Sequence, residues 1–272
     1  MIALPPGLGY YGGQPHLSPH SASMFLRCPE QWRHRYILGE VSPPGAAMLR
    51  GRADHKAHEL NFVQKIESHQ DLPLDTVLDA FADEFQSAID GFGGESYVSV
   101  DENKPLSKVK DVGIKAVSSY HKAISPSIQP TQVEARAEVA VGDVLVQCSA
   151  DILTAGNGIE RKTTSRKQNT PKPDHALQAM TYAAVYMQPF ELHYVADSGT
   201  ITTPSPETPE LLILGAPKVV EVTYNRAALA ILNFYNTFGP DDPWPGAITH
   251  PWACDPRFCG WFATCIYQGG GR

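Results

Sequence analysis

The sequence predicts a mixed α/β protein, an α+β arrangement in which helices flank a central mixed β-sheet. Apolar residues recur at helical spacing through the first part of the chain, and an alternating, β-branched pattern typical of strands then replaces it. Of the 272 residues, 42% are hydrophobic and 19% are charged, which is the composition of a globular protein and not of a disordered one. This length is enough for one sizeable core, and we expect a single domain over 1–272.

Helices are expected over 17–125, after an irregular, Gly/Pro-rich segment at 1–16. Ser18 can cap the first helix, and Pro29 should break that helix directly after Cys28. Further helical stretches follow at about 46–68, 74–91 and 106–124.

The segment 126–200 carries the core sheet and one helix. Two β-branched runs, and the run that follows the turn at 156–158, predict three neighbouring antiparallel strands. A helix at about 173–187 and a strand at 191–197 come next.

The region 201–238 contains a proline-rich loop, then PKVVEVTY at 217–224, which reads as a further strand, and a helix up to residue 238. The tail, 239–272, is rich in Pro, Gly and Cys.

Charge and targeting signals exclude several classes of protein. The formal net charge of −7 argues against a protein that coats nucleic acid with its whole surface. The chain contains no run of eighteen apolar residues, so no transmembrane helix is expected. The chain also has no recognisable export signal, and its five cysteines are an odd number. Both observations disfavour a disulfide framework. We therefore expect a cytoplasmic protein with reduced thiols and no membrane partner.

Two carboxylates and one amine form the pattern most suggestive of chemistry. Asp151 lies on one predicted strand, and Glu160 and Lys162 lie on the next, two residues apart and therefore on the same face. A hairpin can bring Asp151 beside them, and this set suits a divalent metal that activates water, with the lysine orienting or deprotonating that water or stabilising phosphoryl charge. The alternative is a solvated hairpin edge with an ordinary Glu–Lys pair.

Two helical pairs support the chemical interpretation. Gln178 and Tyr182 share one helical face after the hairpin, and His55 and Glu59 share another upstream. A neutral imidazole at His55, with His58 as its substitute, could complete an oxygen-rich shell that favours Mg²⁺ or Mn²⁺. The segment is not an HExxH motif, so a zinc protease is not expected.

The order G-x3-H-x3-E, D, E-x-K-T and Q-x3-Y over about 50–187 resembles the RecB-like branch of the PD-(D/E)XK nuclease superfamily. The resemblance implies a restriction-endonuclease-like core in which His55, Asp151 and Glu160 bind the metal and Lys162 serves the attacking water. It also implies that Gln178 and Tyr182 support the active site and DNA. The family often has one more acidic residue on the preceding strand, for which Glu138 is the first choice and Glu134 the second.

The cysteines carry a second part of the resemblance. The segment LSPHSASMFLRCPEQW resembles the opening of the iron–sulfur members of this branch, the AddB-type helicase–nucleases and the CRISPR-associated RecB-like exonucleases. It implies that Cys28 joins three cysteines near the carboxyl terminus, here Cys254, Cys259 and Cys265, around a [4Fe–4S] cluster that holds the two ends of the chain together. The tail spacing, C-x4-C-x5-C, departs from the usual C-x2-C-x5-C, and four thiolates also suit tetrahedral Zn²⁺.

Basic residues gather beside the proposed chemistry in spite of the acidic net charge. Arg161 directly follows Glu160, Arg166 and Lys167 come shortly after it, and two further basic segments occur at 27–35 and 50–56. This distribution favours a local groove for the phosphates of DNA.

The resemblance implies a metal-dependent exonuclease for single-stranded DNA ends, acting in recombination, repair or phage DNA processing in a bacterial or phage-infected cell, with possible protein partners. Two alternatives come from other classes: a non-cleaving DNA-end-binding or adaptation subunit that keeps the fold, and a protein whose cysteines hold only structural zinc.

Overall fold

The computed structural model describes residues 4–5, 15–99, 104–204, 209–247, 250–256 and 259–267. It confirms the mixed α/β class. The α-helices in this part of the chain are α1 (Pro19–Arg27), α2 (Pro29–Tyr36), α3 (Ala46–Ser68), α4 (Leu74–Gly91), α5 (Leu106–Ala123), α6 (Pro173–Tyr186) and α7 (Pro209–Phe238). The strands are β1 (Gln132–Val141), β2 (Val144–Leu153), β3 (Gly158–Thr164), β4 (Phe190–Ala196) and β5 (Ile201–Thr202).

The sheet is mixed, as the sequence predicts, and its strand order follows the chain from β1 to β5. β2 and β3 pair antiparallel, β3 and β4 pair parallel, and β4 and β5 pair antiparallel. The parallel pair requires a crossover connection, and α6 supplies it.

The chain divides into two compact units, each built from separate stretches. Unit 1 contains Met1–Ser42, Ala137–Cys148 and Leu214–Arg272, and unit 2 contains Pro43–Arg136 and Ser149–Ile213. β1 and β2 each contribute residues to both units. A single domain over 1–272 stays a prediction.

Unit 2 holds α3 against both helices and strands. One apolar cluster packs α3 on α4 and α5, with Leu49 of α3 and Phe81 of α4 fully buried. A second cluster joins Phe62 of α3 and Tyr120 of α5 to Ile152 and Ile159 of the sheet. α3 therefore packs against helices through one cluster and against β2 and β3 through the other.

Unit 1 places the first cysteine at a helix junction. The Ser18 hydroxyl accepts the Ser21 N–H to cap α1, and Cys28 ends α1 and begins α2, with its Sγ accepting the Gln31 N–H. Since Pro29 supplies no N–H to continue α1, the predicted break after Cys28 is confirmed.

The strand predicted at 217–224 is wrong, because these residues belong to α7. The buried side chains on this stretch recur at helical spacing, at Val220, Tyr224, Ala227, Ala228 and Ile231. Packing of that face outweighs the strand preference of the β-branched residues, which is a preference of only about 1 kcal/mol.

Among the helices of the described ranges, none combines the length and apolar character needed to cross a bilayer.

Candidate active site

The β2–β3 hairpin brings the two predicted carboxylates together. Ile152 pairs with Ile159 in this hairpin, so the next positions along the same register are Asp151 and Glu160. Both side chains are buried, and the backbone N–H of Arg161 donates to Asp151 Oδ2 at 2.7 Å. Two buried acids on adjacent strands are costly unless they are hydrogen-bonded or bind a cation.

Glu160 anchors the amine and the amide predicted from the sequence. Lys162 Nζ lies 2.6 Å from Glu160 Oε1, and Gln178 Nε2 of α6 donates to the same oxygen at 2.8 Å. The Tyr182 hydroxyl accepts from Gln178 Nε2 at 2.9 Å, and the Tyr182 ring packs on Phe190. Tyr182 therefore orients Gln178 from within the core.

The two carboxylates differ in their proton affinity. Burial raises the pKa of Glu160 to about 7, and the nearby Asp151 charge adds to that effect. Burial also disfavours the Asp151 charge, but His55 and Lys162 outweigh it and the pKa of Asp151 is lowered. Burial lowers the pKa of Lys162, yet Glu160 and Asp151 raise it further, so this amine is an ammonium at neutral pH.

His55 reaches the same site from α3. Its Nδ1 lies 3.3 Å from Asp151 Oδ1, and the Asp151 charge raises the pKa of His55 to about 9. A metal that binds this imidazole must therefore displace a proton.

Glu134 of β1 completes a group of possible ligands. One ligand atom each of His55, Glu134 and Asp151 lies within 4.8 Å of the others. Glu134 has a positive φ of 47°, an unusual backbone conformation for this residue type, and its Oε2 accepts the Ser149 hydroxyl at 3.1 Å. The first choice from the sequence, Glu138, is exposed and accepts a hydrogen bond from Gln147 at 2.6 Å. The structure thus places the second choice, Glu134, with His55 and Asp151.

The donor set suits a hard divalent cation. Carboxylate oxygens with one imidazole are ligands for Mg²⁺ or Mn²⁺, in which the imidazole favours Mn²⁺. Glu160 Oε2 is buried and has no hydrogen-bond partner among the described residues, so a cation beside it would satisfy an otherwise unpaired oxygen.

His58 has a different position from His55. Its ring is buried between Phe62 and Tyr120, and burial lowers the pKa of His58 well below its ordinary value. It lines the inner wall of the pocket that His55 and Asp151 share.

Arg161 is not at a DNA-binding surface, which corrects the sequence-based expectation. Its side chain is 2% exposed and its Nη2 donates to Asp54 Oδ2 at 2.8 Å. Because side chains alternate along a strand, Arg161 faces away from Glu160 and Lys162. Arg166 and Lys167 lie in the exposed loop that follows β3 and precedes α6.

The four predicted cysteine ligands lie in unit 1 as free thiols. Burial raises the pKa of Cys28 to about 11, and Cys259, Cys254 and Cys265 are near enough to raise it further. Cys254 packs against the small apolar cluster that contains Cys28. However, no three of these sulfurs lie within 4.8 Å of one another, so they do not form a compact ligand group.

The comparisons with known proteins show the family of this chain. The profile of the PD-(D/E)XK nuclease superfamily matches residues 16–232, and the chain belongs to this superfamily. Nucleases of this superfamily use divalent metals.

Among solved structures, the chain resembles a crystal structure named "Putative exonuclease" from Eubacterium rectale. The TM-score is 0.54 at 10% identity, over 85% of this chain and 84% of that one. A crystal structure of SSO0001 matches with a TM-score of 0.32 at 18% identity, over 60% of this chain and 78% of that one. No curated protein matches.

Replacing Glu134 tests whether it is a metal ligand. We expect Glu134→Gln to weaken Mn²⁺ binding at least roughly tenfold, because even residues that only support metal ligands contribute roughly 10–100-fold to affinity. Isothermal titration calorimetry measures the change. Glu138→Gln is the matched control on the same strand, and equal affinities for the two variants would remove Glu134 from the site.

Proposed function

We propose that the protein is a divalent-metal-dependent exodeoxyribonuclease that hydrolyses phosphodiester bonds at the ends of single-stranded DNA. The observation that carries this proposal is the assembly of Asp151, Glu160 and Lys162 beside His55 in a chain of a nuclease superfamily. A solvated hairpin edge does not account for it, because Asp151 and Glu160 are buried.

Different side chains of the protein bind the cation and orient the attacking water. A bound divalent cation supplies Lewis-acid activation of water and neutralisation of phosphate charge. Asp151, His55 and Glu134 would hold that cation, with the unpaired Oε2 of Glu160 as a further oxygen donor. Lys162, as an ammonium fixed by Glu160, donates a hydrogen bond to the attacking water or to a phosphoryl oxygen and orients the in-line attack. Its raised pKa favours this donor role over that of a base.

The proposed contact with a single strand of DNA rests on two exposed basic residues next to β3. Arg33 and Arg50 are buried in ion pairs with Glu30 and Asp197. Arg166 and Lys167 remain exposed at the end of β3, where they can contact the backbone of one strand entering the site.

We further propose that Cys28, Cys254, Cys259 and Cys265 bind a structural [4Fe–4S] cluster. Four thiolates suit either a [4Fe–4S] cluster or a tetrahedral zinc ion. Cys254, Cys259 and Cys265 are near enough to Cys28 to raise its pKa, and all four cysteines belong to unit 1. The resemblance to iron–sulfur members of the RecB-like branch supports the cluster, as it supports a role in recombination, repair or phage DNA processing.

Digestion of end-labelled DNA tests the nuclease. We expect Mg²⁺ or Mn²⁺ to support degradation of linear single-stranded DNA, and Asp151→Ala and Lys162→Ala each to reduce the rate by roughly 10²–10⁴-fold. Lys122→Ala, an exposed lysine on α5, is the control.

Closed circular and end-blocked substrates separate the possible outcomes. Cutting of circular DNA would indicate an endonuclease, and binding of DNA ends without metal-stimulated cutting would identify a non-cleaving subunit. Unchanged rates in Asp151→Ala and Lys162→Ala would contradict the proposed site.

The contribution of the β3–α6 loop is measurable as a salt dependence. We expect Arg166→Ala and Lys167→Ala each to weaken single-stranded DNA binding and to reduce the slope of log affinity against log salt by about 0.7, the value for one phosphate contact. Fluorescence anisotropy across a salt series, with an inactive Lys162→Ala background, gives the slopes. If the slope of log affinity against log salt is the same in Lys122→Ala as in the loop variants, the DNA does not bind at the β3–α6 loop.

The cluster has a spectroscopic test. Protein purified without oxygen should be brown, with broad absorbance at about 400 nm, and should contain iron and sulfide. Cys28→Ser should lose the absorbance, whereas Cys148→Ser, which changes a buried thiol of β2, should retain it. A colourless preparation with one zinc per chain would replace the cluster by zinc.

A further inference from the structure

We propose that Asp54 and Arg161 are positioning residues whose buried ion pair holds His55 against Asp151 and thereby sets the affinity of the metal site. The proposal rests on the proposed function, because it assumes that His55 and Asp151 bind the cation. Under the proposed function, neither the Asp54 nor the Arg161 side chain contacts the metal or the substrate.

The pair connects the helix and the strand that carry the site. Arg161 Nη2 of β3 lies 2.8 Å from Asp54 Oδ2 of α3, and both side chains are at most 2% exposed. Asp54 directly precedes His55 in α3, so any shift of Asp54 along or around the helix also moves the imidazole.

The contacts form a closed ring that includes Asp151. The backbone N–H of Arg161 donates to Asp151 Oδ2 at 2.7 Å, while His55 Nδ1 lies 3.3 Å from Asp151 Oδ1. The Arg161 side chain then returns to Asp54, beside His55. One residue of β3 therefore holds the metal-binding carboxylate with its backbone and the metal-binding helix with its side chain.

The guanidinium itself is fixed by the aromatic ring beneath it. The Arg161 guanidinium carbon lies 4.2 Å from the centre of the Tyr120 ring. The Tyr120 hydroxyl is 2.8 Å from His193 Nδ1, and His193 Nε2 is 3.0 Å from Glu191 Oε2. This network restricts the Arg161 guanidinium to its position beside Asp54.

Stability alone is a weak reason for this pair. Asp54 Oδ1 and Arg161 Nε have no hydrogen-bond partner among the described residues, so the ion pair is incompletely compensated for its loss of water. Buried pairs of this kind can often be replaced by packed apolar residues without loss of stability. A contribution to geometry at the metal site explains the two charges better.

The sign of the change in metal affinity tests the proposal. A purely electrostatic effect requires opposite responses: Asp54→Asn removes a negative charge and would weaken Mn²⁺ binding, whereas Arg161→Met removes a positive charge and would strengthen it. A positioning role requires both variants to weaken Mn²⁺ binding, by roughly 10–100-fold. Calorimetric titration of the full-length protein with Mn²⁺ gives the affinities, and thermal unfolding of the metal-free protein gives the stability.

Further variants separate positioning from a general loss of fold. Asp54→Leu/Arg161→Met removes both charges together and should retain most of the unfolding temperature while still losing Mn²⁺ affinity. The control is Arg50→Met/Asp197→Asn, which removes another ion pair of α3, with Arg50 buried and Asp197 partly exposed, and should leave the Mn²⁺ affinity within about threefold. If the apolar double variant does not fold, Arg161→Lys decides, because it keeps the charge but loses the planar group that reaches Asp54 and stacks on Tyr120.

Each outcome bears on one proposal. Opposite shifts of the Mn²⁺ affinity in the two single variants would overturn the positioning role while leaving the metal site intact. An unchanged Mn²⁺ affinity in the apolar double variant would do the same. Where that double variant does not fold, an unchanged affinity in Arg161→Lys would have this consequence. Absence of Mn²⁺ binding in the unaltered protein would instead overturn the proposed metal site, and the positioning role with it.

Discussion

The carboxylate of Asp151 is held from two sides, and the arrangement of the site depends on this. One oxygen accepts the Arg161 backbone N–H and the other faces His55, so β2, β3 and α3 converge on a single buried group. Because Asp151 stays ionised, its charge raises the pKa of Glu160 beyond what burial alone would do. Two neighbouring carboxylates with separated pKa values can both be charged at neutral pH once a cation lies beside them. A divalent cation can therefore neutralise the charge of Asp151 and Glu160 together.

Much of the fold is predictable because its elements begin and end at strong local signals. The break after Cys28 follows from Pro29, and the extent of α4 follows from its apolar spacing. Strand alternation also predicts that Glu160 and Lys162 share a face, and both side chains meet as expected. The same alternation turns Arg161 to the other face, so the sequence contained the signal against a DNA contact at this position.

Other features depend on contacts that sequence periodicity does not reveal. Glu134 and Glu138 are four residues apart on β1 and fall on one face of a regular strand, so the pattern does not distinguish them. Glu134, which lies beside His55 and Asp151, has a positive φ. The residue types around Glu134 do not predict this backbone conformation. The helix at 217–224 is likewise set by burial of Val220 and Tyr224, against the local preference of its valines.

Net charge is a poor guide to nucleic-acid binding in this chain, because many of its charges are already paired. Buried ion pairs neutralise Arg33, Arg50 and Arg161, which are therefore not available to DNA. The acids of the site repel phosphate until a cation neutralises them, whereas Arg166 and Lys167 attract it at all times. Under the proposed function, metal and DNA therefore bind with positive coupling, and linkage requires that DNA raise the affinity for the metal by the same factor. The acidic balance of −7 is then compatible with a nuclease whose phosphate-binding surface is completed by its metal.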